Sequence, residues 1–494
     1  MKVSKKIYQI LALSMTLLLS SCEGFLTVPT IGKSTIETFF AELDGLRAAG
    51  RGLHRTLAEF YDGEFVRYPE VMGDMVDVIR LNANEQTLRI YDYLSVPADD
   101  AGFPRNVWRN GFDVISNANN ILYYGKPLYE SFPHNKAEID MIFAQALFAR
   151  ALVTFNLCQV YGHSYIYTPD ASHLGVPVVT WVPGFEDIIA RSTVAQTYKQ
   201  VLDDLDEAIE MFATSQTPES VYYASALACK ALKARVYLHK GDWENAAAMA
   251  EEVMGQITLT PREKYVDMFR NAAAVVGDET ILRLNFYDVT SSMNAFCDPS
   301  RTIKAEPAKK LIKLFEDGDI RKELLTYIPE STETSMTQPS YNAFCKHCAY
   351  KSITDERNRR TDLFVLRGSE MYLIHAEALC RKQNPDLATA AADIKALQAR
   401  ATGKDASQIT LNYQDAEELL QIIEWERVRE LNMEGHRLFD ITRLGHDLER
   451  GETSTSDVKN ITWPDYRFAL PICQTEMDTN EAMDQNDGYE TKKK

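Results

Sequence analysis

Apolar residues fall at helical spacing over most of the chain. From Ile36 to Ala58 the residues Phe39, Phe40, Leu43, Leu46, Leu53 and Leu57 form one stripe, which predicts a helix. The stretch "VWRNGFDVISNANNIL" continues the pattern. The clearest helix is "FAQALFARALVTFNLCQVYG", where Ala144, Leu147, Ala151, Phe155 and Cys158 share a face and Gly162 stands at the expected C-cap. In "STVAQTYKQVLDDLDEAIEMF" the apolar side runs through Val194, Tyr198, Leu202, Leu205, Ile209 and Phe212. Between Glu64 and Pro104 the pattern breaks into Pro, Asn, Asp and Gly, which predicts loop, and "LGVPVVTWVPG" is broken by two prolines. Strand signals are few, and "ETILRLNFYDV" is the best of them.

Two segments share a plan. "ARVYLHKGDWENAAAMAEEVM" and "AEALCRKQNPDLATAAADIKAL" each give a helix, a turn holding Gly241 or Pro385, an Asp at the N-cap (Asp242, Asp386) and a second helix opening on alanines. Small residues on both helices let the axes approach closely, as in tetratricopeptide-type hairpins. The "FAQALF" and "STVAQTYKQV" helices form a third pair with a longer insert. The expected fold is all-α, a tetratricopeptide-type helix-pair superhelical scaffold with long irregular loops and a few short strands.

The N-terminus changes the picture of where this scaffold works. Lys2, Lys5 and Lys6 precede an apolar run from Ile7 to Leu19, then Leu19-Ser20-Ser21-Cys22. The run is shorter than the roughly 20 residues that span a bilayer as a helix, so it predicts an export signal. Small residues leading directly into a cysteine resemble a bacterial lipobox, with Cys22 the acylated first residue of the mature chain; a secreted protein with an incidental Cys22 is the plainer alternative. The expected organisation is a signal peptide over 1–21 and one helical domain over 22–494, with halves of about 22–215 and 216–494, because no low-complexity linker cuts the chain.

Composition then excludes partners. The chain has 53 Lys+Arg against 71 Asp+Glu, and loss of the three signal lysines takes the formal charge from −18 to −21. Such a surface repels nucleic acid and anionic lipid. Beyond Cys22 there are Cys158, Cys229, Cys297, Cys345, Cys348, Cys380 and Cys473, an odd number that does not suit a disulfide framework. "CKHC" at Cys345–Cys348 lacks a second ligand pair for zinc, which leaves a local disulfide or free thiols.

Chemistry is sparse. No HExxH, phosphate-binding Gly-rich loop, G-x-S-x-G elbow or dinucleotide fingerprint occurs, although the two carboxylates of a glycosidase would leave no sequence motif. In "ERVRELNMEGHRLFDITRLG", Glu426, Glu430 and Glu434 recur every four residues beside Arg427, Arg429, Arg437 and Arg443. These spacings suit helix-face and cross-helix ion pairs better than an acid/base pair. Aromatic residues make up 10% of the chain. An exposed aromatic flanked by Asn, Asp, Arg or Glu can stack on the C–H face of a sugar. "YPEVMGDMVDVIRLNANEQTLRIYDY", "LNFYDVTSSMNAF" and "PSYNAF" fit that description.

The lipobox with "CEGFLTVPT", then "VWRNGFDVISNANNIL", "AQALFARALVTFNLCQVYG" with "GVPVVT", "YKQVLDDLDEAI", "ALKARVYLHKGDWENAAAMAEEVM", "LFEDGDIRKELL", "RGSEMYLIHAEAL", "ERVRELNMEGHRLFDITRLG" and "FALPICQTEMDTN" resemble, in order, the blocks of the SusD/RagB family. The resemblance implies a non-catalytic lipoprotein of the Gram-negative outer membrane. It would bind oligosaccharide with irregular loops and deliver it to a SusC-like TonB-dependent transporter, with no cofactor and no metal. Only Glu23 follows the anchor cysteine before Gly24, where an acidic cluster often accompanies surface display in that family. Ligand residues lie outside the shared blocks; loop residues with suitable chemistry are Arg80, Asn82 and Tyr91, with Tyr287 and Tyr341 further on. The alternatives are a helical-repeat protein that binds peptides or another protein, and a surface glycosidase.

Overall fold

A computed structural model describes residues 35–97, 102–215, 220–271, 278–285, 291–298, 302–327, 341–350 and 361–490. The long helices are α1 (Leu43–Phe60), α2 (Phe103–Tyr124), α3 (Lys136–Tyr161), α4 (Val194–Thr214), α5 (Ala226–Lys240), α6 (Trp243–Met254), α7 (Gly368–Arg381), α8 (Leu387–Thr402), α9 (Ala416–Leu431) and α10 (Arg437–Leu444). Neighbours in sequence pack on one another from α2 through α8, and α9 returns against α7. That serial packing of helix pairs is the tetratricopeptide-like, all-α architecture expected from the repeat. "ETILRLNFYDV" supplies β1 (Thr280–Leu284), which pairs antiparallel with β2 (Leu363–Arg367).

Local chemistry sets the helix ends. Thr193 and Gln196 close a capping box at the start of α4, and Ser225 accepts from the Ala228 amide at the start of α5. Gly241 ends α5 in the left-handed region, at φ 75°, where only glycine sits without strain. Asp386 caps α8 through the Thr389 amide, whereas Asp242 makes no such bond to α6. Ala246, Ala247 and Ala250 of α6 and Ala376 and Ala378 of α7 are buried where these two helices meet. Small side chains there allow close axes, as the alanine clusters suggested.

Three expectations change. The helix over Ile36–Ala58 is two helices, Ile36–Phe39 and α1, and the chain corners so tightly between them that a side chain at Gly45 would strike the Phe39 carbonyl. Helix α3 is buried all round rather than along one stripe. It is long and apolar enough to cross a membrane, yet 94% of its apolar window lies inside the fold. Its buried polar residues are paired, notably Arg150 with Asp204 of α4 at 2.7 and 2.8 Å.

The third correction concerns the loop predicted over Glu64–Pro104, whose described residues, 64–97 and 102–104, are largely structured. It holds short helices Arg67–Met72 and Glu85–Tyr91 and a strand, Val76–Val78, paired with Ala305–Pro307, and Tyr68 to Val78 is a buried run. Irregular backbone leaves carbonyls without helical partners, which is costly inside a protein. Arg450 meets that need by donating to the carbonyls of Val71, Met72, Gly73 and Tyr91 at 2.6–3.1 Å.

The charged helix of the sequence forms a buried lattice. Glu430 accepts from Arg367, Arg400 and Arg321 at 2.6–3.0 Å and from the Tyr265 hydroxyl. Glu279 bridges Arg367 and Arg400, Glu426 meets Arg321 and Arg429, Glu434 meets Arg367 and Lys346, and Asp319 meets Arg321. Burial alone would raise the Glu430 carboxyl, but Arg400, Arg367 and Arg321 overcome it and hold it well below the usual range. Five cations here face five carboxylates, so the lattice is neutral, in keeping with ion pairs but buried rather than on a surface. Cys345 and Cys348 are buried, unbridged thiols that lie against the carbonyls of Ala343 and Phe344.

Candidate functional site

A cleft of about 980 Å³ is lined by three segments. Its floor is the first half of α2, from Arg105 to Asn119. One side is the segment from Pro177 to Ile189, and the other runs from Cys473 to Met483, including α11 (Gln474–Thr479). Trp108 packs on Phe112 at 4.7 Å and edge-on to Tyr161 at 4.9 Å, so the floor is an aromatic layer anchored in the core.

The 177–189 side carries the exposed rings. Phe185 is fully exposed and lines the cleft with Ile188, and Trp181, 43% exposed, adjoins it on the same segment through its indole bond to the lining Asp187. Large apolar side chains stay in water at a cost, so a group of them on a cleft marks a binding surface. The segment is fixed from beneath. Asp204 holds Arg150, Arg150 donates to the side-chain Oδ1 of Asn119 at 2.8 Å, and Asn119 Nδ2 donates to the backbone carbonyls of Val179 and Trp181 at 3.0 and 2.8 Å. The tip is closed by Asp187, whose carboxylate accepts from the Gly184 amide at 2.9 Å and the Trp181 indole N–H at 3.1 Å. Those two donors, the Gly184 amide foremost, hold Asp187 below its ordinary value.

The two sides are tied together. Asn480 donates to the Ile189 carbonyl at 2.9 Å. Arg191, mostly buried, donates to the carbonyls of Gly175, Tyr161, Leu174 and Asp484 at 2.7–3.3 Å. Burial pulls its pKa down to about 10, far above neutrality, so it spans the segments as a cation. The cleft is thus preorganised, and ordering entropy is settled before any ligand arrives. Ser116, Thr475, Thr479, Asn480 and the carboxylates of Asp113, Glu476, Asp478 and Glu481 line it alongside the rings. Apolar faces framed by hydroxyls, an amide and carboxylates suit a polyhydroxylated ligand with C–H faces.

Of the ligand candidates named from the sequence, Arg80, Asn82 and Tyr91 do not line this cleft. Arg80 pairs with Asp92 at 2.9 Å and Asp457 at 3.3 Å, and Asn82 donates to the Ile303 carbonyl at 2.7 Å. Tyr91 is completely buried: its ring lies under Arg450 and its hydroxyl sits among Asp77, Ser454 and Thr455, so it packs the core rather than offering a face to a ligand. The structure therefore joins Arg80 and Tyr91 to the 454–457 segment, away from the cleft. The backbone of Tyr341 pairs with Tyr327 in a two-stranded ladder, and Tyr287 and Cys22 lie outside the described residues. "WVPGFEDI" met the same criterion of aromatics flanked by acids in a Pro-Gly turn, but its prolines drew attention only as a break in a helix.

Residues 255–489 match the family described as the SusD family, and residues 55–238 match one described as starch-binding and associating with the outer membrane. No curated protein matches. Among solved structures, a putative sugar binding protein from Bacteroides vulgatus ATCC 8482 aligns with a TM-score of 0.76 at 23% identity, covering 91% of this chain and 99% of its own. A SusD superfamily protein from Bacteroides thetaiotaomicron VPI-5482 gives 0.76 at 24%, covering 90% and 100%. A SusD-like carbohydrate binding protein from Bacteroides vulgatus ATCC 8482 gives 0.70 at 20%, covering 89% and 97%. At these identities the likeness speaks to the fold.

Proposed function

The chain belongs to the SusD family, and on that footing we propose that it is a non-catalytic, outer-membrane protein that binds oligosaccharide in the Trp181 cleft and delivers it to a SusC-like TonB-dependent transporter. The observation that carries the binding step is the preorganised cleft with its exposed rings and hydroxyl-matching rim. Acylation of Cys22 would hold the mature chain on the lipid with no spanning helix. The matched family's association with starch and the outer membrane supports glycan binding at that membrane, and the helical scaffold would supply the faces for the transporter. The Glu426–Glu430–Glu434 carboxylates that the sequence singled out are buried and paired with cations, which supports a structural role for them rather than that of an acid/base pair.

Calorimetry of the purified mature protein against oligosaccharides, peptides and glycopeptides tests this. Saturable binding of at least one oligosaccharide, without product release over hours, is expected. Binding to peptides alone would replace the sugar reading by the helical-repeat one. Labelled palmitate that fails to enter the wild-type chain, while entering a known lipoprotein in the same cells, would remove the anchor.

A further inference from the structure

We infer that the Trp181 cleft selects neutral glycans and turns away those bearing uronate or sulfate groups, an inference that rests on the glycan-binding reading above. The stacking surfaces cannot make this choice, since the lining rings of Phe185, Phe112 and Trp108 offer only contact to the C–H faces of a sugar, and neutral and anionic sugars share those faces. The charges around the rings can. Asp113, Asp187, Glu476, Asp478 and Glu481 line the cleft against Arg105 and Arg109, the cations among its described lining residues. Arg109 leans on Asp113 at 3.8 Å, so a ligand anion approaching it also meets that carboxylate.

The placement sharpens the selection. Glu476, Asp478 and Glu481 come from the 473–483 segment and line the same cleft as Phe185, so a sugar stacked on that ring has these carboxylates among its surroundings. Hydroxyl groups there donate to carboxylates in charge-assisted hydrogen bonds, which are the stronger kind. A carboxylate or sulfate in the same place has no proton to give and adds like-charge repulsion within a screening length. Asp187 keeps its charge because the Gly184 and Trp181 N–H groups hold it ionised, and the chain as a whole carries −18.

The test is affinity electrophoresis and calorimetry of the mature protein with two sets of polysaccharides at low and high salt. The neutral set is starch, pullulan, xylan, mannan, galactan and levan; the anionic set is polygalacturonate, alginate and chondroitin sulfate. Binding to one or more neutral glycans at least about tenfold tighter than to any anionic one at low salt is expected. The variant Glu476→Lys/Asp478→Lys/Glu481→Lys should gain retardation by polygalacturonate that high salt abolishes, a gain that a misfolded chain could not give. Trp181→Ala/Phe185→Ala, with an unchanged melting curve, should weaken neutral binding at least tenfold. An anionic glycan bound as tightly as the best neutral one would overturn the inference and leave glycan binding standing. So would neutral binding untouched by the aromatic double variant, which would place the site elsewhere. No binding to any glycan in either set overturns the functional reading, and this inference falls with it.

Discussion

The Glu430 lattice and the Trp181 cleft are both rich in carboxylates, and they use them in opposite ways. Every lattice carboxylate is buried and met by arginine or lysine at hydrogen-bond distance. In the cleft Glu476, Asp478 and Glu481 line an opening to solvent beside uncovered rings. Charge in a dry interior must be neutralised on the spot, so the lattice holds α7, α8 and α9 in place and offers a ligand nothing. Charge at an open rim is hydrated and can trade water for a ligand hydroxyl. A repeating Glu motif is therefore poor evidence of a site; the partners left for it by the fold decide.

The largest expected effect comes from breaking the lattice at its centre. Glu430→Ala leaves Arg321, Arg367 and Arg400 facing one another without their shared counter-ion, and should cost about 3–5 kcal/mol in urea unfolding. A midpoint unchanged from wild type would remove the lattice from its structural role.

Acid should separate the two regions next. Burial drives His347 down to about 4 from 6.5, although its N–H bonds the Met433 carbonyl. Burial would raise Asp74, but Arg437 and Lys310 bring it to about 2 from 3.8. Glu430 is depressed below 4.5 in the same way. In each case the unfolded chain binds the proton more readily, so stability is complete above the unfolded value and is lost as pH falls toward the folded one. The melting temperature should begin to fall below about 6.5 through the buried histidine. It should fall more steeply below about 4.5, where Asp74 alone contributes on the order of 2 kcal/mol. Glycan affinity measured above the unfolding range should change less, since Asp187 stays charged. An affinity that tracks the histidine phase would tie the cleft to the interior.

A smaller effect should follow at the junction of the two regions. Asn119→Ala leaves the Val179 and Trp181 carbonyls and one Arg150 N–H unpartnered, a cost of about 1–3 kcal/mol. It should also loosen the aromatic side, seen as weaker glycan binding with a larger entropic penalty. Equal affinity would show that the network does not preset the loop. Asp187→Ala should do least to the fold, with a melting temperature within error of wild type and a changed Trp181 fluorescence as the loop tip opens. An unaltered spectrum would count against the indole contact.

The helices and their pairing were legible because they rest on local rules. Apolar spacing, Gly241 at a C-cap, Thr193 at an N-cap and alanines where helices meet each act within a few residues. The ordered blocks gave the family for the same reason, since they are runs of contiguous sequence. Glu64–Pro104 was misread because its punctuation is local whereas its burial comes from Arg450, more than three hundred residues away. Tyr91 was misassigned with it.

By itself the sequence determined that this chain is a set of paired helices and that it carries an excess of acidic residues. Those properties follow from spacing, composition and contiguous motifs. Only the tertiary structure decided which carboxylates are buried against cations and which line a cleft, that Tyr91 is core, and that Phe185 shares that cleft with residues 473–483. Such pairings join positions far apart in the chain, and which of a residue's possible partners it meets is fixed by packing, not by its neighbours in sequence.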